Sequence, residues 1–226
     1  EIKVSSYIFF QEQTMKLVSV NIAHTGTPLE NGKPMPTGIF KRPTLEPVRV
    51  ERLGLEGDFI GDTANHGGPN QAIYVYSLED YAWWSGELGR ELEPGTFGEN
   101  LTFEGLDFSE VNLGDCFTIG NVLLEVAFPR IPCRTLAARM QDLGFVRSFV
   151  HAERPGVYCR VLELGQIQVG LEVKHLPVTG IKLSAKEVFR FWHSKRKDWG
   201  VLERALAAGQ ARDYFEPIQT QRGDSL

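Results

Sequence analysis

The chain has 226 residues, 42% of them apolar and 23% charged, with a formal net charge of -5. That length accommodates one sizeable domain and a small appendage. The mild acidity, with no basic run longer than Lys195-Arg196-Lys197, speaks against a nucleic-acid partner.

In chain order, residues 1–14 read as a vector-derived or disordered leader, the natural start being Met15; a genuine extra strand there is the alternative. Tyr7-Ile8-Phe9-Phe10 is too short for a signal-peptide core. From Met15 to about residue 176 the pattern is one of short strands broken by Gly and Pro. Strands are predicted at 16–21, 47–50, 72–76, 100–103, 116–119, 122–128, 157–163 and 172–175, all rich in β-branched and aromatic residues. Gly120-Asn121 reads as a tight hairpin turn. Many short strands with frequent turns predict a mostly β fold closed into a barrel.

Two helices interrupt the strands. Ser77, with Asp80 three residues on, begins the first. The second starts near Cys133 and carries Leu136, Met140 and Leu143 at helical spacing. Residues 177–219 form a separate three-helix extension. Its first helix opens on the capping box of Ser184 and Glu187, its second on Asp198, with Gly209 as a C-terminal stop, and its third includes Tyr214 and Phe215. Residues 220–226 read as a frayed tail. No apolar run is long enough for a transmembrane helix, so no membrane is expected.

Cys116, Cys133 and Cys159 cannot all pair within one chain and lack zinc-ligand spacing, which points to free thiols in a reducing cytoplasm. Cys133 stands apart from the other two. In Arg130-Ile131-Pro132-Cys133-Arg134 the prolines suit a helix start, where unpaired N–H groups favour a thiolate, and Arg130 and Arg134 add positive charge. Such a thiol is a nucleophile or a soft metal ligand, and a buried structural cysteine is the alternative. Asn65-His66-Gly67-Gly68 reads as an anion-binding turn in which His66 orients a ligand, or as a plain β-turn. Gly98-Glu99-Asn100 presents a carboxylate and an amide that can hydrogen-bond a heterocycle. Arg154 and Arg160 are candidates for a bidentate phosphate clamp, or for surface ion pairs. No phosphate loop, dinucleotide-binding turn, HExxH pair or nucleophile elbow occurs.

These segments also occur together and in order. Leu53-Gly54-Leu55-Glu56-Gly57-Asp58, His66-Gly67-Gly68, Phe97-Gly98-Glu99-Asn100-Leu101, Pro129-Arg130-Ile131-Pro132-Cys133 and Gly156-Val157-Tyr158-Cys159-Arg160-Val161 resemble the MOSC domain, named after the C-terminal domain of molybdenum-cofactor sulfurases. The helices after residue 177 resemble the extension of its YiiM-like branch. The resemblance covers nearly the whole chain. It implies a β-barrel that binds the molybdopterin form of the molybdenum cofactor, with Cys133 as the protein's molybdenum ligand. Asn65, His66, Gly67, Gly68, Glu99, Asn100, Arg130, Arg134, Arg154 and Arg160 would surround the cofactor, with His66 beside Cys133 in the chemistry. It further implies reduction of small N-hydroxylated compounds, such as hydroxylaminopurines and amidoximes, with electrons from an external reductase. A pyridoxal phosphate site belongs to a different domain of full sulfurases and is not expected. A persulfide carrier, or a cofactor-storage protein using the same cysteine, are the rival readings. The chain departs from the usual pattern at Arg134 and Thr135, where many members carry a lysine, and near Asn70, where many carry Asp or Lys.

Overall fold

A computed structural model describes residues 15–24, 37–61, 63, 66–209 and 211–223. The predicted leader, residues 1–14, lies outside them. Eight strands form one mixed sheet: β1 (Met15–Ile22), β2 (Arg42–Thr44), β5 (Ile73–Ser77), β6 (Leu101–Glu104), β7 (Cys116–Ile119), β8 (Val122–Pro129), β9 (Val157–Glu163) and β11 (Glu172–Leu176). Their order is β11-β7-β8-β9-β5-β6-β1-β2, and β1 also pairs with β11, so seven of them close a barrel and β2 hangs on its seam. Only β5 and β6 run parallel within this sheet; the other pairings are antiparallel. A small second sheet joins β3 (Val48–Glu51), β4 (Gly54–Leu55) and β10 (Gly165–Ile167).

Alternation explains closure. On β1, Met15, Leu17 and Val20 face the interior, where they join Val75, Phe103, Phe117, Leu124 and Cys159 in a dry core. Gly120, at φ 57°, makes the predicted hairpin between β7 and β8. Outside the barrel, α1 (Leu78–Leu88) covers an aromatic layer of Tyr76, Trp84, Phe97, Phe145 and Phe149. The Ser77 hydroxyl accepts from the Asp80 N–H, the predicted N-cap.

One helical expectation is corrected. The helix that starts beside Cys133, α2 (Arg134–Met140), stops at Gln141, which turns left-handed at φ 55°. Leu143 therefore lies outside it and is 87% exposed rather than packed. A separate helix, α3 (Phe145–Ala152), follows and buries Phe145 and Phe149. Helical spacing alone joined Leu136, Met140 and Leu143; no glycine or proline between them marked the break at Gln141.

The C-terminal helices are α4 (Ala185–His193), α5 (Trp199–Ala208) and α6 (Arg212–Gly223), which continues past the predicted fraying at residue 219. Ser184 and Asp198 cap the first two, and Gly209 ends the second at φ 79°. Val188, Phe191, Leu202 and Phe215 bury themselves against Phe128 at the end of β8. The extension thus sits directly behind the strand that leads to Cys133.

Candidate functional site

β8 ends at Pro129, and the chain turns through Arg130-Ile131-Pro132 to Cys133, the N-cap of α2. This turn opens onto a cavity of about 320 Å³. Cys133, Arg130, His66, Gly67 and Asn100 all line it, so three separate stretches of the sequence converge there. Burial alone pushes the Cys133 thiol up. A hydrogen bond from His66, the Arg130 charge and the Leu136 N–H outweigh it and bring the thiol down to about 6. Cys133 is a thiolate at neutral pH. By contrast, burial in the barrel core pushes Cys159 far up, and burial beside Glu125 raises Cys116.

Arg130 is 4% exposed, and its guanidinium lies over the rings of Tyr74 at 5.7 Å and Phe149 at 5.6 Å. It also hydrogen-bonds Tyr158, yet its Nη1 has no hydrogen-bond partner. A buried guanidinium with an unspent donor is an anion receptor. Gly67 and Gly68 take φ 83° and 78°, and Gly68 has ψ 175°, a region open essentially to glycine alone.

The opposite wall holds a charged network that no local motif signalled. Lys41 pairs with Asp58, and both side chains are over nine-tenths buried. Asp58 also accepts from the Asn100 Nδ2 at 2.8 Å and the Ala23 N–H at 2.9 Å. Asn100 returns the register to β5, its Oδ1 accepting from the Tyr74 N–H at 3.1 Å. Burial lowers Lys41, against the pull of Asp58. Asp58 ended one of the quoted segments, but nothing in the sequence around Lys41 marked its partner.

The remaining expected residues are placed elsewhere. Glu99 is fully buried behind the cavity, where its Oε1 accepts from the Tyr81 hydroxyl at 2.7 Å, the Gly95 N–H at 2.6 Å and the Thr102 hydroxyl at 2.9 Å. It organises the wall instead of facing a ligand. Arg134 is exposed on the first turn of α2. Arg154 pairs with Asp80 at 2.5 Å and stacks on Trp83, in a different crevice with Glu153 and Lys186. Arg160 bonds Asn70 and Glu125 on the barrel's outer face. The two arginines therefore form no joint clamp; Arg154 lies before β9, and Pro155 and the left-handed Gly156 redirect the chain before the strand that carries Arg160 begins. Asn65 lies outside the described residues.

Known proteins share both sequence and shape with this chain. The MOSC domain family matches residues 62–174. The uncharacterized protein YflK of Bacillus subtilis is 34% identical over 216 residues, 96% of this chain and 98% of that protein. A protein of Gibberella moniliformis named Reductase is 32% identical over 84% of this chain but only 34% of its own length. The crystal structure of YiiM from Geobacillus stearothermophilus superposes with a TM-score of 0.75 at 27% identity, covering 92% of this chain and 98% of that one. A match over half the sequence, and a relative alike from end to end, lead to one conclusion: the chain belongs to the MOSC domain family, on its YiiM-like branch.

Proposed function

We propose that this protein holds the molybdopterin form of the molybdenum cofactor and reduces small N-hydroxylated compounds. The MOSC domain is associated with molybdenum cofactor binding. The observation that carries the reading is the pairing of a Cys133 thiolate with a buried, incompletely satisfied Arg130 in one cavity.

The residues present fit the group. A thiolate is a soft donor suited to a thiophilic metal. Among the described residues no cluster of three or more His, Cys, Asp or Glu side chains could hold a bare metal ion. A lone thiolate suits a metal that arrives with its other donors. Arg130, with the Gly67 and Gly68 turn, would hold the cofactor's anionic portion. Lys41 and Asp58 would keep the opposite wall rigid, and His66 would keep Cys133 deprotonated and oriented.

When bound, the cofactor supplies two-electron chemistry, which suits cleavage of an N–O bond to amine or amidine plus water. The chain's own work is to bind, orient and exclude competing reactions. Electrons would come from an external reductase. The fungal relative named Reductase, in which the matched region is about a third of the length, supports that division of labour. The free thiols support a reducing, cytoplasmic setting. No helix among the described residues is long and apolar enough to cross a membrane.

The test is reconstitution with the molybdopterin cofactor, a count of bound molybdenum, and an assay of 6-hydroxylaminopurine or benzamidoxime with a reducing dye. The wild-type chain is expected to bind metal and turn over, and Cys133→Ala to do neither. Full metal binding and activity in Cys133→Ala would overturn the proposal. Metal without turnover would mark a storage protein, and a stable Cys133 persulfide without metal a sulfur carrier.

A further inference from the structure

The C-terminal extension touches the wall of the cavity through the side chain of Tyr214. Tyr214 on α6 stacks its ring on Phe128, with centroids 4.1 Å apart and planes 19° from parallel. Phe128 is buried near the end of β8, two residues before Arg130. The stacked ring directs the phenol at the short turn Pro69–Gln71, where it hydrogen-bonds the side-chain amides of both Asn70 and Gln71. Asn70 is fixed from its other end, because its Oδ1 accepts from the Arg160 Nε at 2.6 Å and Arg160 is held in turn by Glu125. Gln71, next in the chain, lines the cavity together with Cys133 and His66.

We propose that Tyr214 is a positioning residue for Gln71, and that the Gln71 amide is a specificity-determining contact for the substrate; the second half rests on the reductase reading above. Several other polar groups of the wall are already engaged. The Tyr74 hydroxyl donates to the Pro155 carbonyl at 2.8 Å, Asn100 is held by Asp58 and β5, Lys41 pairs with Asp58, and His66 serves Cys133. A side-chain amide has two N–H donors and two carbonyl lone pairs, and the bond to Tyr214 uses one of these four. Gln71 therefore presents an uncharged group that both donates and accepts beside the thiolate. That combination matches neutral N-hydroxylated bases and amidoximes, whose C=N–OH or ring-edge groups likewise carry a donor next to an acceptor. In this arrangement the extension completes one wall of the site from behind.

Two measurements test the two halves separately. In 15N-labelled protein without cofactor, the Gln71 side-chain NH2 signals are identified by their loss in Gln71→Ala. Tyr214→Phe keeps the ring on Phe128 and removes only the hydroxyl. It should shift those signals toward the free-amide position and speed their hydrogen exchange about fivefold, the scale of one hydrogen bond, with the barrel's backbone signals unmoved. Unchanged Gln71 signals in Tyr214→Phe would overturn the positioning role, whatever the protein's activity. In the reconstituted protein, Tyr214→Phe and Gln71→Ala should each raise KM for 6-hydroxylaminopurine about fivefold while lowering kcat less. The double variant should be no worse than Gln71→Ala alone. Additive effects, or kcat losses that exceed those in KM, would overturn the specificity role. A wild-type protein that binds no molybdenum would instead overturn the reductase reading and leave the NMR result standing.

Discussion

The His66 imidazole N–H donates to the Cys133 sulfur, linking a glycine-flanked turn to a helix N-cap from a distant part of the chain. Together with the Arg130 charge, this contact turns an ordinary buried thiol into a thiolate. The consequence is measurable without any cofactor. In the metal-free protein, alkylation by iodoacetamide should select Cys133 over Cys116 and Cys159. Its rate should rise with pH through an inflection near 6, because only the thiolate reacts. His66→Ala should move the inflection up toward the ordinary thiol value of about 8.5. An inflection unmoved by that substitution would show that His66 does not stabilise the thiolate.

The Lys41–Asp58 pair is a second site of large effect. Removing one member of a buried, hydrogen-bonded pair leaves the other charge unmatched, at a cost of about 3 to 5 kcal/mol. Lys41→Met is therefore expected to lower unfolding stability by about that amount, read from urea denaturation. Lys41→Met combined with Asp58→Asn should recover part of the loss, because the stranded charge is gone. Recovery will be incomplete, since the Asp58 carboxylate also holds Asn100 and the Ala23 N–H.

Gly156 carries the backbone between Arg154 and β9 at φ 64°. A Cβ there would meet the Val75 carbonyl oxygen at 2.5 Å and the rings of Tyr76 and Tyr74 at 2.7 and 2.9 Å. Gly156→Ala should destabilise by about 3 kcal/mol or more, through overpacking added to strain. Gly89, the left-handed C-cap of α1 at φ 61°, has nothing within 4 Å of the same position. Gly89→Ala should cost only the conformational term of about 1 kcal/mol. Equal losses in the two variants would show that packing around Gly156 is looser than the contacts indicate.

Much of this geometry was legible before the structure, for identifiable reasons. Strands such as β7 and β8 announce themselves through alternation and a Gly-Asn turn, and Ser77, Ser184 and Asp198 are capping residues whose role is local. Cys133 was legible because its activation depends partly on neighbours in sequence, the helix start and Arg130. What escaped is non-local. Arg154 and Arg160 have the residue type for a phosphate clamp, but only the barrel's register shows them pointing to Asp80 and to Asn70. Lys41 gains its partner across a fold that brings β2's lead-in against Asp58, and Tyr214 meets Gln71 only because α6 packs on Phe128. No periodicity encodes such pairings.

Asp115 offers a test of stability against pH, away from the cavity. Its side chain is buried, and it accepts from the Asn112 and Val178 N–H groups at 2.8 and 2.7 Å and pairs with the His175 Nε2 at 2.7 Å. Burial raises this carboxyl, but the His175 contact and the two N–H groups outweigh it, so its folded-state value lies below the ordinary 3.8. An acid whose pKa is depressed by folding stabilises the native state while it is ionised in both states. That contribution is complete above the ordinary value and vanishes as pH falls below it through the depressed one. Asp115→Asn should therefore be destabilised by about 1 to 3 kcal/mol at pH 7, since it leaves charge-assisted bonds unmade. The gap to wild type should hold down to about pH 5 and close as the pH falls below the carboxylate range. A gap of constant size across that range would mean that Asp115 acts through shape and neutral hydrogen bonds alone, and that its charge contributes nothing to holding β7, β11 and the start of the helical extension together.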